Sequence, residues 1–129
     1  MRVLVSAENY TYPDFVVVCG APEFKDAEVD ILLNPTLIIQ VLSSSTENYD
    51  RGQKFQNYRM LPSLQEYVLI SQQMPQIEHY QRQDNHQWLL TDVTDFQNSA
   101  SLTSIGCTLA LVDVYDKVMF NGEANSQDN

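Results

Sequence analysis

The sequence predicts a single α/β domain in which one main helix packs across a central mixed sheet. Its 129 residues, 43% of them hydrophobic, are enough for one core and too few for two. Near-continuous aliphatic stretches at 36–43 and 66–71 are typical of strands buried on both faces. The intervening residues 46–60 have helical spacing. We assign residues 1–120 to the domain and 121–129 to a flexible polar tail.

The first 34 residues contain two predicted strands. Apolar and polar residues alternate at 2–6, which indicates a short strand, and a turn follows at 8–13. The aliphatic stretch at 14–19 predicts a buried strand. Residues 21–34 are polar and interrupted by proline, so they are predicted to form an exposed loop.

The main helix is predicted to begin with Thr46 as its N-cap and to end near Met60, because Pro62 disfavours helical geometry before it. Asp50, Lys54 and Tyr58 recur every four residues and therefore share one helix face. On their own these residues indicate a solvated ion pair of roughly 0.3–0.5 kcal/mol and an aromatic ring at the edge of the core.

The second half is predicted to be mostly strand. A buried strand at 66–71 precedes a hairpin of strands at 76–82 and 87–94. His79 and His86 are interpreted as exposed strand residues without metal-type spacing. A short terminal helix is predicted within 102–118.

The composition limits the function classes. Net charge is −10, which excludes a broad electrostatic footprint for nucleic acid, although three of the seven basic residues lie on the predicted helix. No apolar stretch is long enough to cross a membrane, and no secretory signal or glycine-rich nucleotide loop is present. Cys19 and Cys107 are interpreted as buried thiols of a cytoplasmic protein.

Several short motifs, taken in order, resemble the Uma-type restriction endonuclease family. That family belongs to the PD-(D/E)XK nuclease superfamily and has the type II restriction-endonuclease-like fold. The resemblance extends from Tyr10 to about Val118. It rests on the motifs at 12–17, 34–43, 45–46, 49–55, 58–59 and 62–67.

This resemblance implies Mg²⁺- or Mn²⁺-dependent hydrolysis of DNA phosphodiester bonds. Asp14 matches the first acidic ligand of the family, and Lys54 matches the lysine that orients the attacking water. Gln40 occupies the position where the family has a glutamate. The carbonyl of Val41 could complete the metal ligands.

Two departures from the family pattern change the expectation. Gln40 is neutral, so we expect weak metal binding and little cleavage; without the resemblance, it is interpreted as a buried hydrogen-bonded amide. The helical region that usually precedes the strand at 2–6 is missing, so the chain resembles a shortened member with an open sheet edge that favours a homodimer. The alternative is a non-catalytic remnant that dimerises or associates with DNA.

Overall fold

The computed structural model describes residues 2–6, 9–25, 28–116 and 118, so the predicted tail at 121–129 lies outside the described residues. Within this part of the chain, no helix is both long and apolar enough to span a membrane. The elements are, in chain order, β1 (Arg2–Ser6), β2 (Asn9–Thr11), β3 (Phe15–Val17), β4 (Phe24–Lys25), β5 (Glu28–Leu32), β6 (Leu37–Val41), α1 (Glu47–Arg51), α2 (Gln53–Arg59), β7 (Glu66–Ile70), β8 (Ile77–Arg82), β9 (Trp88–Val93), β10 (Ser99–Leu102), a 3₁₀ turn (Thr103–Ile105), β11 (Cys107–Ala110) and α3 (Leu111–Val114).

The central sheet has five strands in the order β3-β6-β7-β8-β9. β6 and β7 are parallel and the other neighbours are antiparallel, which confirms the predicted mixed sheet. The parallel pair requires a crossover, and α1 with α2 provides it. β3 is an edge strand with Phe15 60% exposed, so the prediction that it is buried was wrong.

A second, four-stranded sheet has the order β2-β1-β5-β4 and was not predicted. The predicted turn at 8–13 contains β2, and the predicted loop at 21–34 contains β4 and β5. The side chains of Ile31 and Leu32 are 3% and 1% exposed, and this burial fixes β5 in place although its neighbours in sequence are polar. β1 lies inside this sheet, so it does not supply the open edge on which the homodimer prediction rested.

Each face of the five-stranded sheet covers a separate hydrophobic core. Side chains that alternate along β6 enter different cores, with Ile38 in the first and Leu37 in the second. The first core contains α2 and strands of the four-stranded sheet; its members include Val3, Leu32, Phe55, Tyr58 and Tyr67. The second contains the β10–β11 pair and α3; its members include Val68, Ile77, Leu102, Leu111 and Tyr115.

The helix predicted at 46–60 is two short helices separated at Gly52. Gly52 has φ −99° and ψ −94°, and a Cβ atom there would lie 3.2 Å from the carbonyl oxygen of Asn48. Thr46 is the N-cap residue of α1, as predicted, but its side chain makes no capping hydrogen bond and its hydroxyl donates to Asp50 instead. The predicted end is confirmed, because α2 ends at Arg59.

The C-terminal part contains more strand than predicted. The predicted short helix is present at Leu111–Val114, and the residues before it form the antiparallel β10–β11 pair with the 3₁₀ turn between its strands. Cys19 and Cys107 are free and exposed, so the prediction of buried thiols was wrong. Cys19 follows an edge strand and Cys107 begins a strand of a two-stranded sheet, and neither position is covered.

Candidate functional site

Asp14 lies at the start of β3, beside the end of β6. Phe15 is opposite Ile39, and continuing this antiparallel register by one residue places Asp14 beside Gln40. The carboxylate Oδ2 of Asp14 accepts a hydrogen bond of 2.7 Å from the backbone N–H of Val41. The N–H and C=O of one strand residue point to the same side, so the Val41 carbonyl also faces this edge. Asp14 is exposed and Gln40 is not.

Gln40 points into the first core and is 2% exposed. Its Nε2 donates a hydrogen bond of 3.3 Å to the hydroxyl of Tyr58, and that hydroxyl lies 2.6 Å from Oγ1 of Thr11. The interpretation of Gln40 as a buried, hydrogen-bonded amide is therefore confirmed. Within the described residues, Gln40 Oε1 accepts no hydrogen bond. Burial raises the pKa of Tyr58 to about 12, which keeps its hydroxyl neutral.

Lys54 forms an ion pair with a buried carboxylate one helical turn earlier. Its Nζ lies 3.4 Å from Oδ1 of Asp50, and Asp50 is 4% exposed. Asp50 Oδ2 accepts a hydrogen bond of 3.2 Å from Thr46, whereas Oδ1 is buried without a hydrogen bond in the described part of the chain. The contact between Lys54 Nζ and Asp50 Oδ1 is therefore an ion pair without hydrogen-bond geometry. This oxygen is a buried acceptor with unused capacity.

The predicted site residues form two groups. Asp14 and Val41 are joined directly by a hydrogen bond. Gln40 and Lys54 are related through α2, because Gln40 contacts Tyr58, one helical turn after Lys54. Among the described residues, no hydrogen bond or ion pair joins Lys54 to Asp14 or Gln40. The roles of all four residues therefore stay predictions.

The oxygen atoms of Asp14, Gln40 and Val41 are of the types that bind a hard cation, but together they carry only one negative charge. A carboxylate, an amide oxygen and a carbonyl are all ligands that Mg²⁺ accepts. Only Asp14 among them is anionic, and the described residues contain no group of three or more His, Cys, Asp or Glu side chains that could hold a metal ion. Asp50 is the nearest further acid on the same helix face as Lys54. The four-residue spacing of Asp50 and Lys54 is visible in the sequence, but the burial of Asp50 Oδ1 is not.

His79 is buried and not exposed as predicted. It is 5% exposed, and its Nε2 is hydrogen-bonded to the carboxylate of Glu66, which is 0% exposed. Glu66 Oε1 also accepts hydrogen bonds from the hydroxyl and the backbone N–H of Ser104, the latter at 2.9 Å. The parallel register sets Glu66 beside Leu37, at the opposite end of β6 from Val41. This cluster therefore lies apart from the candidate site and joins the β10–β11 region to the central sheet.

The family of this chain can be identified from its sequence. A model of the Uma2 family, described as "Putative restriction endonuclease", matches residues 1–112. The chain belongs to the Uma2 family. The resemblance found in the sequence is thereby confirmed.

Two curated relatives are similar to this chain over part of their own length. The uncharacterized protein sll1609 of Synechocystis sp. (strain ATCC 27184 / PCC 6803 / Kazusa) is 45% identical over 94 residues, 72% of this Uma2 chain and 53% of that protein. The uncharacterized protein slr1290 of the same organism is 36% identical over 117 residues, 91% of this chain and 60% of that protein. The chain thus spans little more than half the length of these relatives.

A solved structure shows the fold. The crystal structure described as a putative nuclease belonging to DUF820, from Anabaena variabilis ATCC 29413, matches with a TM-score of 0.68 and 17% identity. The match covers 88% of this Uma2 chain and 64% of that one. The mixed α/β architecture, with α1 and α2 as its main helical segment, is therefore the restriction-endonuclease-like fold.

Proposed function

We propose that this Uma2 domain is a metal-dependent DNA endonuclease domain whose activity is weak because Gln40 replaces an acidic ligand. The observation that carries the proposal is the Asp14 carboxylate at the end of β6, 2.7 Å from the Val41 backbone N–H and beside Gln40 in the strand register. Family membership supports the same reaction class.

The oxygens of Asp14, Gln40 and Val41 would hold Mg²⁺ or Mn²⁺, which when bound polarises the scissile phosphate and lowers the pKa of water. The Val41 N–H fixes the orientation of the Asp14 carboxylate. Tyr58 orients the Gln40 amide by accepting a hydrogen bond from Nε2, which leaves Oε1 as the ligand atom. Lys54 would orient the attacking water, and the ion pair with Asp50 holds its ammonium group in place.

The decisive test is to restore the missing carboxylate. Gln40→Glu adds one negative charge with little change in volume, so we expect Mn²⁺ to bind about tenfold more tightly, which is ~1.4 kcal/mol. Calorimetric titration measures the affinity, and nicking of supercoiled plasmid measures the activity. We expect faint or absent nicking by the natural chain and chelator-sensitive nicking by Gln40→Glu.

Two further variants separate the roles within that background. Lys54→Ala in Gln40→Glu should abolish nicking and leave Mn²⁺ affinity nearly unchanged. Asp14→Asn keeps an oxygen acceptor for the Val41 N–H but removes the charge, so it should weaken Mn²⁺ binding. Strong chelator-sensitive nicking by the natural chain would refute the weakening assigned to Gln40, and equal lack of metal binding in both forms would refute the metal site.

The second candidate function is a non-catalytic module that dimerises or associates with DNA. The observation that favours it is the donation from Gln40 Nε2 to Tyr58, which holds the amide inside the core. DNA binding without nicking in Gln40→Glu would select this candidate. No nucleotide cofactor is proposed.

We also propose a homodimer formed through β9, with residues 1–120 acting as one domain. β9 is an edge strand of the central sheet, and it carries Leu89 and Leu90 at 52% and 45% exposure. Exposed apolar edge strands favour pairing with a second copy. A cytoplasmic location stays a prediction from the sequence.

A further inference from the structure

A shallow basic cleft lies on a different side of α2 from Lys54. It has a volume of about 270 Å³ and is lined by Gln56, Arg59, Met60, Arg82, His86 and Trp88. Arg59 follows Lys54 by five residues, which turns its side chain roughly 140° around the helix axis. The cleft is lined by Arg82 of β8 and Trp88 of β9, whereas Asp14 meets Val41 beside β3, at the other edge of the central sheet, so the two places are separate.

Within the described residues, the two arginines of this cleft lack the carboxylate partners that the neighbouring cations on α1 and α2 have. Arg51 is paired with Glu47 and Glu78, and Lys54 is paired with Asp50. In the part of the chain that the structure describes, neither Arg59 nor Arg82 forms an ion pair with a carboxylate. In a chain of net charge −10, two cations that are not neutralised by acids are a local exception.

Arg82 is held rigidly as one wall of the cleft. Its Nε donates to the carbonyl of Leu64 at 2.6 Å, and its Nη2 donates to the carbonyls of Leu61 at 2.9 Å and Arg59 at 3.1 Å. Its guanidinium carbon lies 4.6 Å from the ring centroid of Trp88. Nη1 makes no hydrogen bond to any described residue, so this nitrogen keeps its donors free for a ligand.

Arg59 and His86 supply the exposed donors. The guanidinium carbon of Arg59 lies 4.7 Å from the ring centroid of Phe55, a contact that limits its rotation and leaves all its donors unused by the described residues. His86 is exposed in the β8–β9 turn with φ 60°, in the left-handed region. A residue other than glycine in this region is uncommon, and the turn sets the imidazole at the mouth of the cleft.

We propose that this cleft binds a backbone phosphate of DNA, at a contact separate from the candidate metal site. Planar guanidinium groups with free donors match phosphate oxygens, and stacking on aromatic rings presents them in a fixed orientation. The cleft is open and shallow, which suits one phosphate of a polymer. The choice of DNA as that polymer rests on the proposed function; the phosphate site itself rests on Arg59, Arg82 and His86.

The test is the salt dependence of DNA binding by matched variants. Fluorescence anisotropy with a labelled 20-base-pair duplex, in EDTA so that no metal contributes, gives the dissociation constant at several salt concentrations. Arg59→Gln should weaken binding about three- to tenfold at low salt and reduce the slope of log affinity against log salt by about 0.9. Lys25→Gln, on β4 of the other sheet, makes the same change in net charge and should have little effect.

His86→Asn provides an independent variant, since asparagine tolerates the left-handed conformation. It should weaken binding about two- to fivefold with the same thermal midpoint as the natural chain. Equal effects of Arg59→Gln and Lys25→Gln, or no duplex binding by the natural chain at low salt, would overturn the proposal. Failure of Gln40→Glu to nick plasmid, with the Arg59 effect intact, would overturn the endonuclease proposal alone.

Discussion

The hydroxyl of Tyr58 joins three separate segments of the chain. It contacts Thr11 on β2 at 2.6 Å and Gln40 on β6 at 3.3 Å, while its own ring is 0% exposed on α2. A buried hydroxyl in such a position orients its neighbours because each would otherwise lack a partner. Tyr58 therefore sets the position of the Gln40 amide without touching the substrate.

Tyr58→Phe should lower the free energy of unfolding by about 1–2 kcal/mol, because Thr11, 8% exposed, then loses its hydrogen-bond partner. Urea unfolding followed by circular dichroism measures the change. Tyr12→Phe is the matched control, since Tyr12 is 67% exposed, and it should be neutral. Equal stability of the two variants would contradict this account.

The same tyrosine predicts how stability depends on alkaline pH. Burial raises the pKa of Tyr58 from 10.0 to about 12, so between these values the unfolded chain loses a proton that the folded chain keeps. The contribution of Tyr58 to the free energy of unfolding should therefore be fully present below pH 10. Above pH 10 this contribution should fall by up to ~1.4 kcal/mol per pH unit. Burial also raises the pKa of Tyr67, so the natural chain should show a steeper loss. Urea midpoints from pH 9 to 11 should fall less steeply in Tyr58→Phe, and parallel slopes would contradict the assignment.

For individual residues, the sequence predicts contacts between positions that are close along the chain. The Asp50–Lys54 pair follows from four-residue spacing alone, and the amide role of Gln40 follows from its apolar neighbours. The burial of His79 could not be predicted, because its partner Glu66 lies on another strand 13 positions away, and Ser104, which donates to Glu66, lies 38 positions beyond that. Contacts between distant residues leave no periodic signal.

Arg51 connects α1 to β8 across the first core. Its Nε donates to both carboxylate oxygens of Glu78, at 2.8 and 3.0 Å, and its Nη2 donates to Oε1 at 2.6 Å. Glu78 is 7% exposed, so this guanidinium takes the place of the water that its carboxylate has lost. The same guanidinium also pairs with Glu47 on its own helix.

Arg51→Ala should cost about 2–3 kcal/mol of unfolding free energy, since a mostly buried carboxylate is left unpaired. Arg51→Lys should recover only part of this, because one ammonium group cannot form the two-pronged contact. Glu47→Ala removes only the partly exposed pair within α1 and should cost about 0.5 kcal/mol or less. Denaturant midpoints of the three variants test the order, and a Glu47→Ala cost as large as that of Arg51→Ala would contradict it.

Elements with strong periodicity were predictable, and short ones were not. The strands at β6, β7, β8 and β9 follow from aliphatic runs and a turn signal. β2 and β4 have three and two residues, too few for a pattern to show. The break at Gly52 was missed because helical spacing continues on both sides of it.

At the scale of the whole molecule, β9 is an edge strand with two exposed leucines. Leu90→Lys places a charge on this edge strand and should shift a concentration-dependent dimer toward monomer, by about tenfold in dissociation constant. Sedimentation velocity from 1 to 200 μM measures the shift. Val112→Lys is the control, since Val112 is 53% exposed on α3, outside β9. A natural chain that is monomeric throughout, or equal shifts in both variants, would contradict pairing through β9.

The fold class and the mixed central sheet could be predicted because its parallel pair is built from continuous apolar runs joined by a helix. The four-stranded sheet could not, because β1 and β5 pair over a long separation in sequence and the stretch at 21–34 is interrupted by proline and several acidic residues. The candidate site came from the family resemblance, and composition alone would have assigned Asp14 to a turn.

Glu66 is synthesised well before one of the residues that bind its buried carboxylate. Ser104, which donates two hydrogen bonds to this carboxylate, lies 38 positions further along the chain. A ribosome adds about 5–20 residues per second, so Glu66 is made roughly 2 to 8 seconds before its partner. Until the β10–β11 pair arrives, water must solvate an acid that the finished sheet encloses. A nascent chain that ends before residue 99 therefore holds Glu66 without the two donors of Ser104.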